Sequence, residues 1–253
     1  MKITVLCENS VSMIHECKYD IKAEHGLSLF IEVNGSKILF DTASKGQYVK
    51  NAKIFWIDLQ KTDFVVLSHN HEDHAGWLLF NNFKTKKNIL FHPQVLKDLP
   101  KHEATMIQKK FKTITSKIPI EFLPNIFFLW EIPLTTAFET GKYRTWKRII
   151  DDSAIAVKTP KWVFVVTGCS HSGIGNICEY AKKVTGQKLL WVIWWFHLFG
   201  KSNKTILNGT IKYFKKEKVK YLYPMHCIDF EALMDIYKII PFEKLWTGSV
   251  IEI

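Results

Sequence analysis

The sequence has no apolar run long enough to cross a membrane. The longest, from Leu189 to Leu198, is far shorter than the roughly 20 residues that a transmembrane helix needs. The first residues, Met1 to Glu8, become charged too soon to form the apolar segment of a secretory signal. We therefore expect a soluble, cytoplasmic protein with no membrane partner.

A cysteine framework and a linker are also missing. The chain of 253 residues has five cysteines, an odd number without paired spacing, which fits a reducing compartment better than a disulfide scaffold. No stretch is rich enough in Gly, Ser or Pro to separate two domains, and no repeat suggests a solenoid. A chain of this length can bury the core of one large α/β domain.

Acidic residues are in the minority, with 24 Asp and Glu against 35 Lys and Arg and a formal net charge of +11. Residues 84–119 contain nine lysines against two acidic residues, a net of +7. A basic surface attracts anions, so we expect an anionic small-molecule substrate. Nucleic acid is an alternative partner, and a merely solvated lysine face is the commonest explanation of such a run.

The segment from Ser68 to Gly76 carries the most chemical information. It follows the apolar run from Phe64 to Leu67, which predicts a short buried strand. Imidazoles and a carboxylate at the end of a strand form a metal site in outline, and they suit zinc, iron, manganese or nickel better than calcium or magnesium. Glu72 is off the pattern, and we interpret it as a solvated loop carboxylate. The candidate ligands are His69, His71, Asp73 and His74.

This His-x-His-x-Asp-His pattern resembles the signature of the metallo-β-lactamase fold metallohydrolases. Further landmarks resemble a branch described as 7,8-dihydropterin-6-methyl-4-(β-D-ribofuranosyl)aminobenzene 5′-phosphate synthase-like, and they run in the order of that branch over nearly the whole chain. They are Leu39–Thr42, Asp151–Asp152, Thr167–Ile174, Phe196–Leu198 and His226–Cys227.

The resemblance implies an α/β fold, the four-layer αββα sandwich, as one domain over residues 1–253 with a variable region at about 94–150 that covers the pocket. It also implies two divalent transition-metal ions, with zinc favoured and iron, manganese or nickel open. One ion would be held by His69, His71 and His171, and the other by Asp73, His74 and His226. Asp41 would lie near the metals and orient a ligand histidine, with capping of the following turn as the alternative.

His197 and the pair Trp194–Trp195 depart from the family pattern. His197 stands where many members have a bridging aspartate, and a neutral imidazole with one lone pair cannot bridge two ions. We favour a catalytic, substrate-facing acid–base role for His197 over a terminal ligand or packing. Trp194 and Trp195 replace two glycines; we expect Trp195 to give the substrate pocket an aromatic wall and at least one of the two to pack in the core.

Three further features have competing explanations. Asp152, in the acidic pair, is a candidate substrate contact, although a turn with one capping carboxylate is as good an explanation. The glycines after His171 are typical of a phosphate cradle at a helix N-terminus, but a tight turn that presents His171 is favoured. Cys169 and Cys227 lie beside candidate ligands, and buried small side chains at tight turns are the favoured interpretation.

The resemblance implies a metal-dependent hydrolase that directs a metal-activated water at a phosphorylated or ester-bearing small molecule, with Asp73 orienting the water. Three alternatives stay open: a pterin-transferring synthase of methanopterin-type biosynthesis, an RNA or DNA phosphodiesterase, and a non-catalytic binding protein that keeps the metals as structure. The net charge supports the nuclease, although little aromatic interleaving accompanies the lysines.

Overall fold

In a computed structural model, the described residues are 1–141, 148–195, 204–225 and 227–253, with only the backbone at 194 and 195. These residues form thirteen strands. They are β1 (Lys2–Cys7), β2 (Ser28–Val33), β3 (Ser36–Phe40), β4 (Phe64–Val66), β5 (Lys87–Leu90), β6 (Phe111–Ile114), β7 (Ile120–Leu123), β8 (Ile126–Phe128), β9 (Ala154–Lys158), β10 (Trp162–Thr167), β11 (Lys188–Trp195), β12 (Tyr221–Met225) and β13 (Val250–Glu252).

The same residues form eight α-helices and two short 3₁₀ helices, at Leu59–Lys61 and Leu78–Phe80. Across the described ranges, none of the helices combines the length and apolar character needed to span a membrane. The α-helices are α1 (Met13–Tyr19), α2 (Gln47–Ile54), α3 (Glu72–Ala75), α4 (Gln94–Asp98), α5 (Lys101–Lys110), α6 (Ile174–Thr185), α7 (Lys204–Glu217) and α8 (Phe230–Tyr237).

The first of two compact units comprises Met1–Ser116 and Leu245–Ile253. Its mixed sheet has the order β13-β1-β2-β3-β4-β5-β6, in which β3, β4, β5 and β6 are parallel neighbours. Because β4 lies inside the sheet, Val65 and Val66 are buried completely. The core of this unit also takes in Tyr48 from α2 and Ile107 from α5. The carboxyl end of β4 is therefore a rigid platform for the residues that follow it.

The second unit comprises Lys117–Lys244. Its sheet has the order β12-β11-β10-β9-β8-β7, and β10, β11 and β12 are parallel. Helix α6 buries its apolar face, including Ile177 and Ala181, in the core of this unit. The carboxyl ends of β10 and β12 point to the same edge of the sheet, since both strands run parallel to β11.

Several local predictions are confirmed. The dipeptide Asn34-Gly35 between two short apolar runs predicts a type I′ hairpin turn. The β2–β3 hairpin turns there, with the φ angles of 51° and 79° that this turn requires. The lysine-rich segment at about 101–113 predicts a helix, and α5 forms there but ends at Lys110, directly before β6.

One local prediction fails. The residues after the metal motif, at 76–83, predict a short α-helix, but only the 3₁₀ helix at Leu78–Phe80 forms there. The variable region at about 94–150 has the least regular sequence pattern, and its strands β6, β7 and β8 were not predicted. The assignment of one domain stays a prediction.

Candidate metal centre

The metal-binding motif begins directly after β4, as the apolar run predicts. Its first residues are locked in place, since Leu67 N–H donates to Leu90 O at 2.9 Å and both Ser68 and His69 are fully buried. His71 is the N-cap residue of the four-residue helix α3, which carries Asp73 and His74. The strand thus fixes the first histidine, and one helical turn returns the last histidine to the same region.

Asp41 organises this segment. Its Oδ1 accepts from Ser68 N–H at 2.8 Å, and its Oδ2 accepts from Ser68 Oγ–H at 2.7 Å and from His74 Nδ1–H at 2.6 Å. Burial raises the pKa of the Asp41 carboxyl, and the bonds from His74 and Ser68 oppose that rise. The carboxylate therefore holds the Nδ1–H tautomer of His74 and leaves Nε2 as a lone-pair donor.

The same network reaches His69. Because the Ser68 hydroxyl hydrogen is donated to Asp41, we assign Ser68 Oγ as the acceptor from His69 Nδ1–H at 2.9 Å. His69 Nε2 is then a lone-pair nitrogen, and it lies 3.0 Å from His71 Nδ1. Two imidazole nitrogens on one tetrahedral zinc ion, each about 2.0–2.1 Å from it, lie roughly 3.3 Å apart. This donor set therefore fits a shared transition-metal ion.

The backbone around Asp41 is bent to hold the motif. Asp41 and Ala43 have φ angles of 57° and 48°, in the left-handed region that side-chain-bearing residues rarely adopt. Thr42 N–H donates to His74 O at 2.7 Å, and Leu27 N–H donates to Asp73 O at 3.0 Å. These bonds satisfy two carbonyl groups of α3, so the strained loop and the ligand helix support one another.

Gly26 permits a close backbone approach to the same helix. Its φ is +130°, and a Cβ built there would lie 2.4 Å from Asp73 O and 3.0 Å from Ala43 Cα. Only glycine has the conformation and the space for this position. The Asp73 side chain is partly exposed, with Oδ2 3.7 Å from His74 Nε2 and 3.8 Å from His25 Nε2.

A pocket of about 350 Å³ opens beside the motif. Residues 70–72 line one side, and Leu99, Glu103 and Ile107 line another. Leu78, Leu79 and Phe80 make most of the surface apolar, while Glu72 and Glu103 add acidic groups. The exposed Glu72 agrees with its interpretation as a solvated carboxylate, and its place in the pocket wall was not predicted.

In the second unit, the loop after β10 places His171 in a largely buried position. Ser170 and Gly173 have positive φ angles of 56° and 92°, so the predicted tight turn is present. The buried Asp152 accepts from Ser172 N–H at 2.8 Å through Oδ2, and burial raises the pKa of Asp152 to about 7. This contact positions the loop that carries His171; a contact between Asp152 and substrate stays a prediction.

The N-terminus of α6 is filled by the chain's own carboxylate. Glu139 accepts from Gly175 N–H at Oε1 and from Asn176 N–H at Oε2, both at 2.9 Å. A Cβ on Gly173 would lie 2.4 Å from Glu139 Cδ. The glycines therefore make room for Glu139, which occupies the helix end that the sequence suggested as a phosphate cradle.

Cys169 and Cys227 lie together at this edge of the second sheet. Their sulfur atoms are 3.4 Å apart, although the residues are 58 positions apart in the sequence. Cys169 is a buried small side chain at a tight turn, as expected, whereas Cys227 is half-buried; the contact between the two was not predicted. Spacing gave no signal for it, since the pairing depends on β10 and β12 ending at one edge.

Three predicted site residues are not fully covered by the structure. His197 and His226 lie outside the described residues, as does the Trp195 side chain. Their proposed roles stay predictions.

Residues 21–181 match the sequence profile described as the metallo-beta-lactamase superfamily. The chain belongs to this superfamily. It is 33% identical over 267 aligned residues to a protein of Methanocaldococcus jannaschii named 7,8-dihydropterin-6-methyl-4-(beta-D-ribofuranosyl)-aminobenzene-5'-phosphate synthase, and the match covers 91% of this chain and 90% of that protein. The resemblance drawn from the motifs is thereby confirmed.

Solved structures of other proteins have the same fold as this chain. The crystal structure of Tm1679, a metal-dependent hydrolase of the beta-lactamase superfamily, matches with a TM-score of 0.80 and 26% identity, over 100% of this chain and 99% of that one. A diphosphatase from the PhnP family shares the fold, with a TM-score of 0.58 and 17% identity over 100% and 97% of the two chains. The predicted α/β metallo-β-lactamase sandwich fold is confirmed.

Proposed function

We propose that this protein is a metal-dependent hydrolase that acts on an anionic, phosphorylated or ester-bearing small molecule in the cytoplasm. The observation that carries the proposal is the approach of His69 Nε2 to within 3.0 Å of His71 Nδ1, next to a buried Asp41 that fixes His74. Membership of the metallo-β-lactamase superfamily supports it, since such buried networks of oriented imidazoles are typical of metal ligands.

We infer two divalent ions, with zinc favoured because neutral imidazole and carboxylate suit it. The family pattern assigns His69, His71 and His171 to one ion, and Asp73, His74 and His226 to the other. When bound, such ions supply the Lewis acid that makes water nucleophilic near neutral pH.

The chain's own side chains then have distinct tasks. Asp41 keeps the tautomer of His74 fixed during turnover, because its carboxylate accepts from His74 Nδ1–H and from two groups of Ser68. Asp73, whose side chain is partly exposed, orients the attacking water and holds its proton. His197 is the proposed acid that protonates the leaving group.

The pocket beside His71 suggests where the apolar and the anionic parts of a substrate bind. Its apolar wall from Leu78 to Phe80 suits a hydrocarbon or aromatic part, and Glu72 and Glu103 repel a phosphate there. The anionic part would then lie away from these carboxylates. The lysine-rich helix α5, with basic residues in its last turn, raises the local concentration of such anions.

Metal analysis combined with a substrate screen tests the proposal. Protein purified without chelator is measured by elemental analysis and assayed on phosphomonoesters, phosphodiesters and carboxylic esters. Asp73→Ala should lower turnover by at least about 100-fold, since acid–base groups contribute about 10²–10⁴-fold, while the exposed Asp20→Ala control keeps full turnover. A wild type without metal, or an Asp73→Ala protein with normal turnover, contradicts the proposal; activity confined to nucleic-acid phosphodiesters would favour the nuclease.

A second candidate is the synthase reaction named for the Methanocaldococcus jannaschii relative, and the 33% identity over 91% of this chain favours it. It predicts a transfer product from a phosphorylated pterin-pathway substrate instead of simple hydrolysis. Chromatography of the products distinguishes the two, because a hydrolase yields the same products whether or not a second substrate is present.

A further inference from the structure

Two thiols meet at the sheet edge of the second unit. Cys169 follows the end of β10 by two residues, and Cys227 follows the end of β12 by two residues. Both strands are parallel neighbours of β11, so the sheet itself brings the two residues together. Cys169 is buried and Cys227 is half-buried.

The separation of the two sulfur atoms fits a shared metal ion. It is 3.4 Å, whereas a disulfide requires about 2.05 Å. Two thiolates on one tetrahedral zinc ion, each about 2.3 Å from it, lie roughly 3.8 Å apart. A movement of a few tenths of an ångström is enough to bind an ion, while disulfide formation requires a movement of more than one ångström.

Neighbouring residues in the chain agree with a ligand role. His171 lies two residues after Cys169 in the same tight loop, and His226 directly precedes Cys227. The Cys169 loop is held by Asp152, which accepts from Ser172 N–H. A buried, oriented loop of this kind is what a metal ligand needs.

We propose that Cys169 and Cys227 are a pair of thiolate ligands, and that one ion of the metal centre is bound through sulfur. The proposal rests on the metal centre of the proposed function. Soft thiolate ligands favour zinc, and select against manganese and magnesium. The native ion would accordingly be zinc in preference to manganese. Imidazole and carboxylate ligands alone discriminate less strongly between these two metals.

Cobalt(II) substitution reports sulfur ligands directly. Metal-stripped full-length protein, kept reduced, is titrated with cobalt(II), and the near-ultraviolet sulfur-to-cobalt charge-transfer band is recorded. We expect the band in wild type, a weaker band in Cys227→Ser and Cys169→Ser, and its loss in the double variant. Each single variant should weaken cobalt binding by at least the roughly 10–100-fold that loss of a supporting partner costs.

Two other cysteines serve as control positions. Cys178→Ala removes a buried thiol from α6 of the same unit, and Cys17→Ser removes an exposed one; both should keep the band and the affinity. If circular dichroism shows that Cys169→Ser does not fold, the cobalt spectra of wild type and of Cys227→Ser still test the proposal.

The outcomes separate this proposal from the proposed function. Cobalt bound without a charge-transfer band overturns the thiolate ligands and leaves the hydrolase intact. A wild type that binds no cobalt or zinc overturns both. Fewer than five reactive thiols in the denatured, metal-stripped protein purified without reductant would identify a disulfide, which also contradicts the proposal.

Discussion

Replacement of Asp41 by asparagine should weaken zinc binding without removing a single candidate ligand. The carboxylate Oδ2 accepts from both Ser68 Oγ–H and His74 Nδ1–H. If the amide nitrogen of Asn replaces that oxygen, His74 must move its proton to Nε2 to accept at Nδ1, and a protonated Nε2 cannot bind metal. If the amide turns the other way, its N–H₂ group faces Ser68 N–H, and a buried donor pair without an acceptor costs about 1–3 kcal/mol.

Either orientation penalises the metal-bound state. Loss of a partner that orients a ligand histidine costs about 10–100-fold in metal affinity, which is about 1.4–2.8 kcal/mol. The assay is competition for zinc between metal-stripped protein and a chromophoric chelator. Asp63→Asn is the matched control, because Asp63 Oδ2 also accepts a backbone N–H, that of Lys37 at 2.8 Å, but at an exposed site. Unchanged zinc affinity in folded Asp41→Asn, or an equal loss in Asp63→Asn, would refute the reasoning.

Three further predictions concern other parts of the two units. Gly26→Ala should destabilise the first unit by about 1–3 kcal/mol in urea unfolding, because the new Cβ would lie 2.4 Å from Asp73 O. Gly35→Ala is the control for a positive φ angle, since a Cβ there would meet nothing within 4 Å. Equal losses of stability in both variants would contradict the role of the contact with Asp73. Burial raises the pKa of Glu139 above its ordinary value of 4.5, so the folded state binds that proton more tightly than the unfolded state does. The free energy of unfolding should therefore fall as the pH rises from about 4.5 through the pKa of the folded state. Glu139→Gln should flatten this pH dependence in metal-free protein, and an unaltered pH dependence would disprove the assignment. His197→Ala should retain both ions by elemental analysis while turnover falls by about 10²–10⁴-fold, whereas loss of one ion would make His197 a ligand.

Local features of the fold were predictable because their causes are local. The β2–β3 hairpin depends on Asn34 and Gly35, whose neighbours in sequence decide the turn. Helix α6 shows apolar residues at helical spacing, so its amphipathic pattern was visible. Strand β7 was missed because none of its residues is fully buried, and β8 because it is only three residues long. The pairing of β7 with β8 and of β8 with β9 comes from tertiary contacts that propensity does not encode.

The candidate site divides in the same way. Ligand types and spacing in the His69–His74 segment were readable because one strand end and one helical turn contain them. The place of Asp41 beside the candidate ligands was predicted from the family resemblance alone. The Cys169–Cys227 pair and the Glu139 contact with α6 join residues 58 and 36 positions apart, and sequence spacing does not indicate which distant strand ends share an edge.

The Glu139 carboxylate at the N-terminus of α6 acts as a tethered competitor for anions. An intramolecular ligand has an effective concentration of millimolar or more even on a flexible linker, and Glu139 is buried and held by two backbone N–H groups. Phosphate or sulfate in a buffer must displace this carboxylate before it can occupy the helix end. Inhibition of the proposed hydrolase by micromolar phosphate would therefore indicate an anion site other than this helix end.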